Sequence, residues 1–139
     1  MSKPKPHILF VCVENSNRSQ MAEAFARLHG GHAVEAWSAG SRPSGIVNPR
    51  AIASMKQRGI DLSGHHSKSL DDVPQVAWDA VVTMGCGDSC PRLASRLRED
   101  WPLPDPRNME PPQFAIVRDE IERRVLDLLN RILPEISPR

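Results

Sequence analysis

Cys12 and Arg18 are separated by Val13, Glu14, Asn15, Ser16 and Asn17, and Ser19 follows directly. A cysteine thiolate is a strong nucleophile, and arginine carries a planar, permanent cation that can grip two oxygens of a tetrahedral anion. The run before Cys12, from His7 to Val11, is apolar and reads as a strand buried on both faces. The run after Ser19, Gln20 to Leu28, is rich in helix formers, with Met21, Phe25 and Leu28 at helical spacing. Strand, tight loop and helix N-terminus thus follow one another. In that arrangement the backbone N–H groups of residues 13 to 19 form a nest for an oxyanion, and their positive field favours the thiolate of Cys12. The bland alternative is a buried structural cysteine beside a surface arginine, but the surrounding elements are those the chemistry needs.

The rest of the chain sets bounds on that chemistry. At 139 residues, 40% of them hydrophobic, it suffices for one domain with a real core and is too short for two, so a single domain over 1–139 is expected. Eighteen Lys and Arg against 17 Asp and Glu give a formal charge of +1, which points to neither nucleic acid nor an acidic membrane. Apolar runs of about five residues are far below a membrane span. The N-terminal residues lack the hydrophobic region of a signal peptide. A cytoplasmic protein follows; a monomer is the default expectation, on which composition has no bearing. In that compartment three cysteines are more readily reactive or metal-binding than structural.

The elements that must position the loop alternate. Gly30-Gly31 stops the first helix, and Ala33 to Ser38 reads as a second strand. Ala39 to Gly45 is a loop by composition. Asn48 caps a helix that begins with Pro49 and ends at Gly59. Asp71-Asp72-Val73 opens a short helical turn, and Asp79 to Met84 is a third strand. A loop carrying Cys86 and Cys90 follows. Pro91 begins a short helix over Leu93 and Leu97, and Glu99 to Leu103 reads as a fourth strand limited by Pro102. A last helix spans about Gln113 to Leu133, its stripe formed by Phe114, Val117, Ile121, Val125, Leu128 and Ile132, with Arg118, Glu122, Arg123 and Asp127 turned away. Such alternation predicts an α/β fold: three layers, with a four-stranded parallel sheet flanked by helices in a flavodoxin-like topology. Ligands of such sheets bind beyond the C-terminal strand ends. Cys12, Cys86 and Asp105 follow strands one, three and four, and so should converge.

The segment Cys12 to Ser19 resembles the C-x5-R-S anion loop of low-molecular-weight tyrosine phosphatases and of the arsenate reductases built on that fold. The likeness extends over Gln20 to Glu23, Ser38-Ala39-Gly40, Val47-Asn48-Pro49, Gly59-Ile60-Asp61 and Asp105-Pro106. Val82 to Pro91, with Cys86 and Cys90, resembles the reductases specifically. The resemblance implies that arsenate, with phosphate and sulfate as competitors, sits in the loop on backbone amides and Arg18. Cys12 would attack arsenic, Asp105 would protonate the departing oxygen, and Asn15 and Ser19 would hydrogen-bond the loop and the Cys12 sulfur. Cys86 would then attack Cys12 and Cys90 would attack Cys86, leaving a disulfide for an external thiol reductant: thioredoxin, or mycothiol or glutathione with a glutaredoxin-type protein. No permanently bound cofactor is implied.

Departures leave alternatives open. The C-x3-C spacing of Cys86 and Cys90 is shorter than is usual in thioredoxin-coupled members, although one helical turn is compatible with a disulfide. Mycothiol-coupled members need only Cys12. Glu14 is a carboxylate in an anion loop, read here as facing outward. The chain has no tyrosine, whereas the phosphatases resemble one another in a tyrosine pair near the catalytic Asp; here Arg107-Asn108-Met109 follows. A phosphomonoesterase and a non-catalytic anion or redox sensor are the competing functions. Cys86, Cys90, His65 and His66 do not have the common zinc spacing, and no metal is expected; the two histidines read as a solvated loop pair. Glu23, Ser38, Asp61 and Asn15 could hold a monovalent cation behind the loop, as the resemblance to some relatives implies, but ordinary hydrogen bonding is the preferred account.

Overall fold

The computed structural model describes residues 5–85 and 93–133. Cys86 and Cys90, and the helix expected to begin at Pro91, lie at least in part outside the described residues. Strands β1 (His7–Cys12), β2 (Glu35–Gly40), β3 (Trp78–Thr83) and β4 (Ser95–Asp100) form one sheet in the order β2-β1-β3-β4, and each neighbouring pair is parallel. Helices α1 (Arg18–Gly30), α2 (Pro49–Lys56) and α3 (Pro111–Ile132) accompany it. The fold is therefore the expected α/β architecture.

Alternation along the strands sorts the core into two faces. Ile8, Phe10, Ala80 and Val82 point to one side, where Met21 and Phe25 of α1, Met55 of α2 and Phe114, Ile121 and Val125 of α3 pack on them. Leu9, Val11 and Val81 point to the other, where Val73 and Trp78 join them beside the 3-10 turn Leu70–Asp72. Helix α1 is buried almost all round from Arg18 to Ala26, whereas Leu28, spaced to share a face with Met21 and Phe25, is exposed. β1 is central, and the chain leaves it for β2 on one side and later β3 on the other. The loop after Cys12 thus sits where the strand order reverses, the usual ligand site of an open parallel sheet.

Several boundaries differ from expectation. The second strand starts later, at Glu35, because α1 runs to Gly30 and a 3-10 turn occupies Gly31–Ala33. Asn48 caps α2, its side chain accepting from the Arg50 N–H, as its position before Pro49 predicts. The helix expected over Leu93 and Leu97 does not form at Leu97, which is in β4 and pairs with Ala80. Ser95, Leu97 and Glu99 are half-buried while Arg96, Arg98 and Asp100 are exposed, a period-two pattern on a charged edge strand. Residues 101–110 then form the loop expected to begin within the strand.

Arg118 and Glu122, expected to face away from the α3 stripe, are buried. Arg118 Nη1 donates to the Ser54 carbonyl at 2.8 Å and to Gln57 Oε1 at 3.0 Å, tying α3 to α2. Glu122 receives two hydrogen bonds from Arg58 and lies 2.7 Å from His29 Nε2, joining α3 to the end of α2 and to α1. Burial alone would push the Glu122 carboxyl up, but the bonds from Arg58 and His29 outweigh it and hold it below the usual carboxylate range. Its stabilising effect is therefore present above the unfolded-state value and lost as pH falls through the lower folded one. Glu122→Ala is expected to cost about 2–3 kcal/mol in urea unfolding at pH 7. The gap from wild type should close as the acid limb is descended.

Candidate active site

The loop between β1 and α1 is built by where its carbonyls go. Cys12 O accepts from Ser41 N, Val13 O from Arg42 N, Glu14 O from Ser44 N and Ser67 Oγ, and Ser16 O from Asn48 N, at 2.7–3.3 Å. Asn15 O accepts from Gln20 Nε2 at 3.2 Å. In a trans peptide the carbonyl and the next N–H point to opposite edges, so these partners turn the N–H groups of residues 13 to 17 away from the scaffold. Asn15 achieves the tight bend with φ of 51°, unusual for a residue with a Cβ. Arg18 and Ser19 are the first residues of α1, whose opening N–H groups lack intrahelical partners. Together these make an anion seat of backbone donors at a helix N-terminus.

Two glycines allow the close approach. A Cβ on Gly40, at the end of β2, would come within 2.6 Å of the Val13 carbonyl oxygen and 2.9 Å of Asn15 N. Gly85, with φ of +75°, faces Arg18; a Cβ there would meet Nη1 at 2.7 Å. Arg18 Nη1 donates to the Leu103 carbonyl at 3.0 Å, and buried Arg18 Nε has no hydrogen-bond partner among the described residues. The guanidinium is thus anchored at one nitrogen with donors to spare, the requirement for receiving an oxyanion. Cys12, Val13, Glu14, Ser16, Asn17, Arg18, Gly85, Asp105 and Arg107 line one cavity of about 250 Å³.

Cys12 Sγ lies 2.8 Å from Ser19 Oγ, which accepts from Asn15 Nδ2 at 2.8 Å. Because Asn15 already donates to that oxygen, the Ser19 hydroxyl proton is free to point at sulfur, the arrangement that stabilises a thiolate. Asp105, on the loop after β4, shares the cavity lining; its Oδ1 accepts from Arg107 N at 3.1 Å. That is also the turn-forming contact an aspartate makes in a bland role. The structure brings Cys12, the whole anion loop, Arg18, Ser19 and Asp105 together. Gly85 ends the described segment at the same cavity, and Cys86 is the next residue.

Two expectations, for Glu14 and for His65, need revision, while hydrogen bonding accounts for the residues behind the loop. Glu14 is half-buried at the mouth, its carboxylate 2.8 Å from Arg107 Nη2, so the charge that would repel an anion is partly neutralised. The cation site does not assemble. Glu23 Oε1 accepts from Ser38 Oγ at 2.5 Å and faces Lys68 Nζ at 3.4 Å, while Oε2 faces Arg27 Nη2 at 2.8 Å. Asn15 Oδ1 is taken by Gln20 and by Lys68 N, and Asp61 sits on an exposed turn with Ser63. Lys68 brings its own ammonium to these oxygens, and the residues do not fit a bound cation. His65 is half-buried, its Nδ1 3.1 Å from Gln20 Oε1, and only His66 is an exposed loop residue. Arg107, Lys68 and Gln20 are the contributors the residue patterns did not single out. Arg107 and Lys68 act through contacts distant in sequence, where spacing carries no signal, and Gln20, which grips Asn15 five residues back, is a polar side chain that helical periodicity does not mark.

The sequence profile of the low molecular weight phosphotyrosine protein phosphatase family matches residues 7–137. The chain is 40% identical to arsenate reductase 1 of Staphylococcus epidermidis over 132 residues, 92% of this chain and 98% of that one. It is 38% identical to the glutaredoxin arsenate reductase of Synechocystis sp. over 128 residues, 90% and 97% of the two chains. Among solved structures, an arsenate reductase in the phosphate binding state superimposes with a TM-score of 0.84 at 37% identity, covering 91% of this chain and 98% of that one. A thioredoxin-dependent arsenate reductase of Corynebacterium glutamicum gives 0.80 at 33% identity, covering 97% of this chain and 65% of the other. No helix among the described residues is long and apolar enough to cross a membrane.

The mouth charges give a direct test. Glu14→Gln removes a negative charge from the cavity lining and releases Arg107. Phosphate should then protect Cys12 from alkylation at a roughly three- to tenfold lower concentration, with the advantage shrinking as salt is added.

Proposed function

We propose that this chain, which belongs to the low molecular weight phosphotyrosine protein phosphatase family, is an arsenate reductase using Cys12 as nucleophile and a relay of three cysteines. The observation that carries the reading is the Cys12 sulfur on the Ser19 hydroxyl at a cavity lined also by Arg18, whose Nε has no hydrogen-bond partner among the described residues, and by Asp105. The similar proteins named as arsenate reductases support the substrate.

Arsenate enters as a tetrahedral anion, received by the amides of residues 13 to 19 and by Arg18. Cys12 thiolate attacks arsenic, forming an S–As bond. The departing As–O oxygen takes a proton from Asp105 and leaves as water, arsenic still pentavalent. Cys86 thiolate then attacks Cys12 sulfur. The S–S bond forms, the S–As bond breaks, and its electron pair goes to arsenic, which leaves as arsenite. Cys90 attacks Cys86, freeing Cys12 as a thiol and leaving a Cys86–Cys90 disulfide. An external dithiol returns the pair to thiols. The names of the relatives support both a thioredoxin and a glutaredoxin-type donor, and the cysteine pair favours the former.

Cys12→Ser should abolish all activity, and Asp105→Asn should slow the first step by roughly 10²- to 10⁴-fold. Because loop and acid suit phosphate esters equally, a weak phosphatase activity is expected, and Cys86→Ser should spare it while stopping arsenate turnover. Donor identity is settled by arsenite release from wild type and Cys90→Ser, each with thioredoxin and its reductase or with a small thiol and a glutaredoxin. The relay predicts turnover with thioredoxin that Cys90→Ser loses. Turnover with the small thiol, untouched by Cys90→Ser, would reduce the mechanism to Cys12 alone.

A further inference from the structure

The mouth of the cavity carries a contact that the reaction above does not use. Cys12, at its floor, is 3% exposed, whereas the side chains of Glu14 and Arg107, which line the same cavity, are 36% and 53% exposed and so form its rim. Glu14 belongs to the anion loop and Arg107 to the loop after β4. Their side chains meet there, Arg107 Nη2 donating to Glu14 Oε2 at 2.8 Å. We propose that this ion pair is a bar across the mouth, which admits bare tetrahedral oxyanions and disfavours phosphate esters, whose organic group must pass it.

The direction of attack sets where an ester would meet the bar. A nucleophile displaces a leaving oxygen roughly in line, so the group on that oxygen lies on the side away from Cys12. That is the Asp105 side, since Asp105 is the group that protonates the leaving oxygen. Asp105 Oδ1 accepts from Arg107 N at 3.1 Å, and Asp105 Oδ2 lies 3.9 Å from Arg107 Nη2. The guanidinium thus reaches from Asp105 to Glu14 over the path such a group would take. On arsenate or phosphate the leaving oxygen is bare, and nothing extends into the bar.

An exposed ion pair by itself holds weakly, because ordering two long side chains offsets most of the attraction. Here both ends are pinned by their backbones. Glu14 O accepts from Ser44 N at 3.2 Å and from Ser67 Oγ at 2.7 Å. Arg107 N is held by Asp105, and Arg107 O accepts from Asn48 Nδ2 at 3.4 Å. The pair therefore closes on the same place after each opening, and opening it for an ester costs affinity by roughly fivefold, the upper end for an exposed pair. Because the two charges cancel, the bar sorts ligands by bulk.

The inference rests on the anion seat at Cys12, and its test needs no turnover, so it can fail while that seat and arsenate reduction stand. Reduced full-length wild type, Glu14→Ala and Arg107→Ala are pulsed with iodoacetamide in the presence of methylphosphonate or phenylphosphonate, at a pH where both are dianions. Labelling of the Cys12 peptide, read by mass spectrometry, gives the half-protecting concentration of each probe. The two probes share their charge and differ in bulk. In wild type, phenylphosphonate should need a roughly fivefold higher concentration than methylphosphonate, and in each variant the ratio should fall to within about twofold of unity. The absolute concentrations should meanwhile move in opposite directions, down for Glu14→Ala and up for Arg107→Ala, because one loses an anion and the other a cation. A ratio near unity in wild type overturns the proposal. So does a wild-type ratio that survives in either variant, since the pair would then act through charge alone. Protection of wild type by neither probe overturns the bar together with the seat beneath it.

Discussion

Five consecutive carbonyls, from Cys12 to Ser16, are pulled outward by hydrogen bonds, and the rest of the site depends on that constraint. Unmet backbone groups are costly when buried, so a loop whose N–H groups face inward needs its oxygens satisfied elsewhere. The partners come from four places: residues 41–44, the cap of α2, Gln20 of α1 and Ser67. The sheet supplies the platform, because β1 ends at Cys12 where the strand order reverses, and Gly40 lets β2 end against the loop. An inward-facing amide nest, an anchored arginine and a hydroxyl on sulfur are consequences of that outward tying.

Charge is arranged in layers around the seat. The permanent cation at its rim is Arg18, held by Leu103. At the mouth Glu14 and Arg107 offset one another, and the pair is half exposed, so it tunes anion entry and adds little stability. Behind the loop, the buried Glu23 carboxylate is matched by Lys68 and Arg27, leaving no net demand for a bound cation. The deepest layer is uncharged: amides and hydroxyls from Gln20 to Ser19 shape the sulfur's environment through directed hydrogen bonds.

The sequence made local chemistry legible and distant contacts illegible. The apolar run ending at Cys12, the helix-forming run after Ser19 and the Asn48-Pro49 cap were readable because strand period, helix propensity and capping act between near neighbours. Asn15 and Ser19 came through resemblance to a family loop, and the structure shows the bonds. Charged edge strand β4 was misplaced because Leu93 and Leu97 satisfy a helical spacing and a period-two spacing equally well. Arg118 and Glu122 were read as solvent-facing because charge usually is; their partners Ser54, Gln57, Arg58 and His29 lie on α2, just past its end or on α1, which no window along α3 includes. Lys68 and Arg107 were invisible for the same reason.

The central claim is that one thiol at this seat takes arsenate to arsenite at the expense of protein thiols. A single turnover tests it: fully reduced protein, freed of external thiol, is mixed with excess arsenate, and arsenite and free thiols are counted on the quenched sample. The account predicts close to one arsenite per chain, with two thiols lost and recovered as a disulfide, and neither event in Cys12→Ser. Phosphate-ester cleavage by the same preparation with no arsenite formed and all three thiols intact would contradict it.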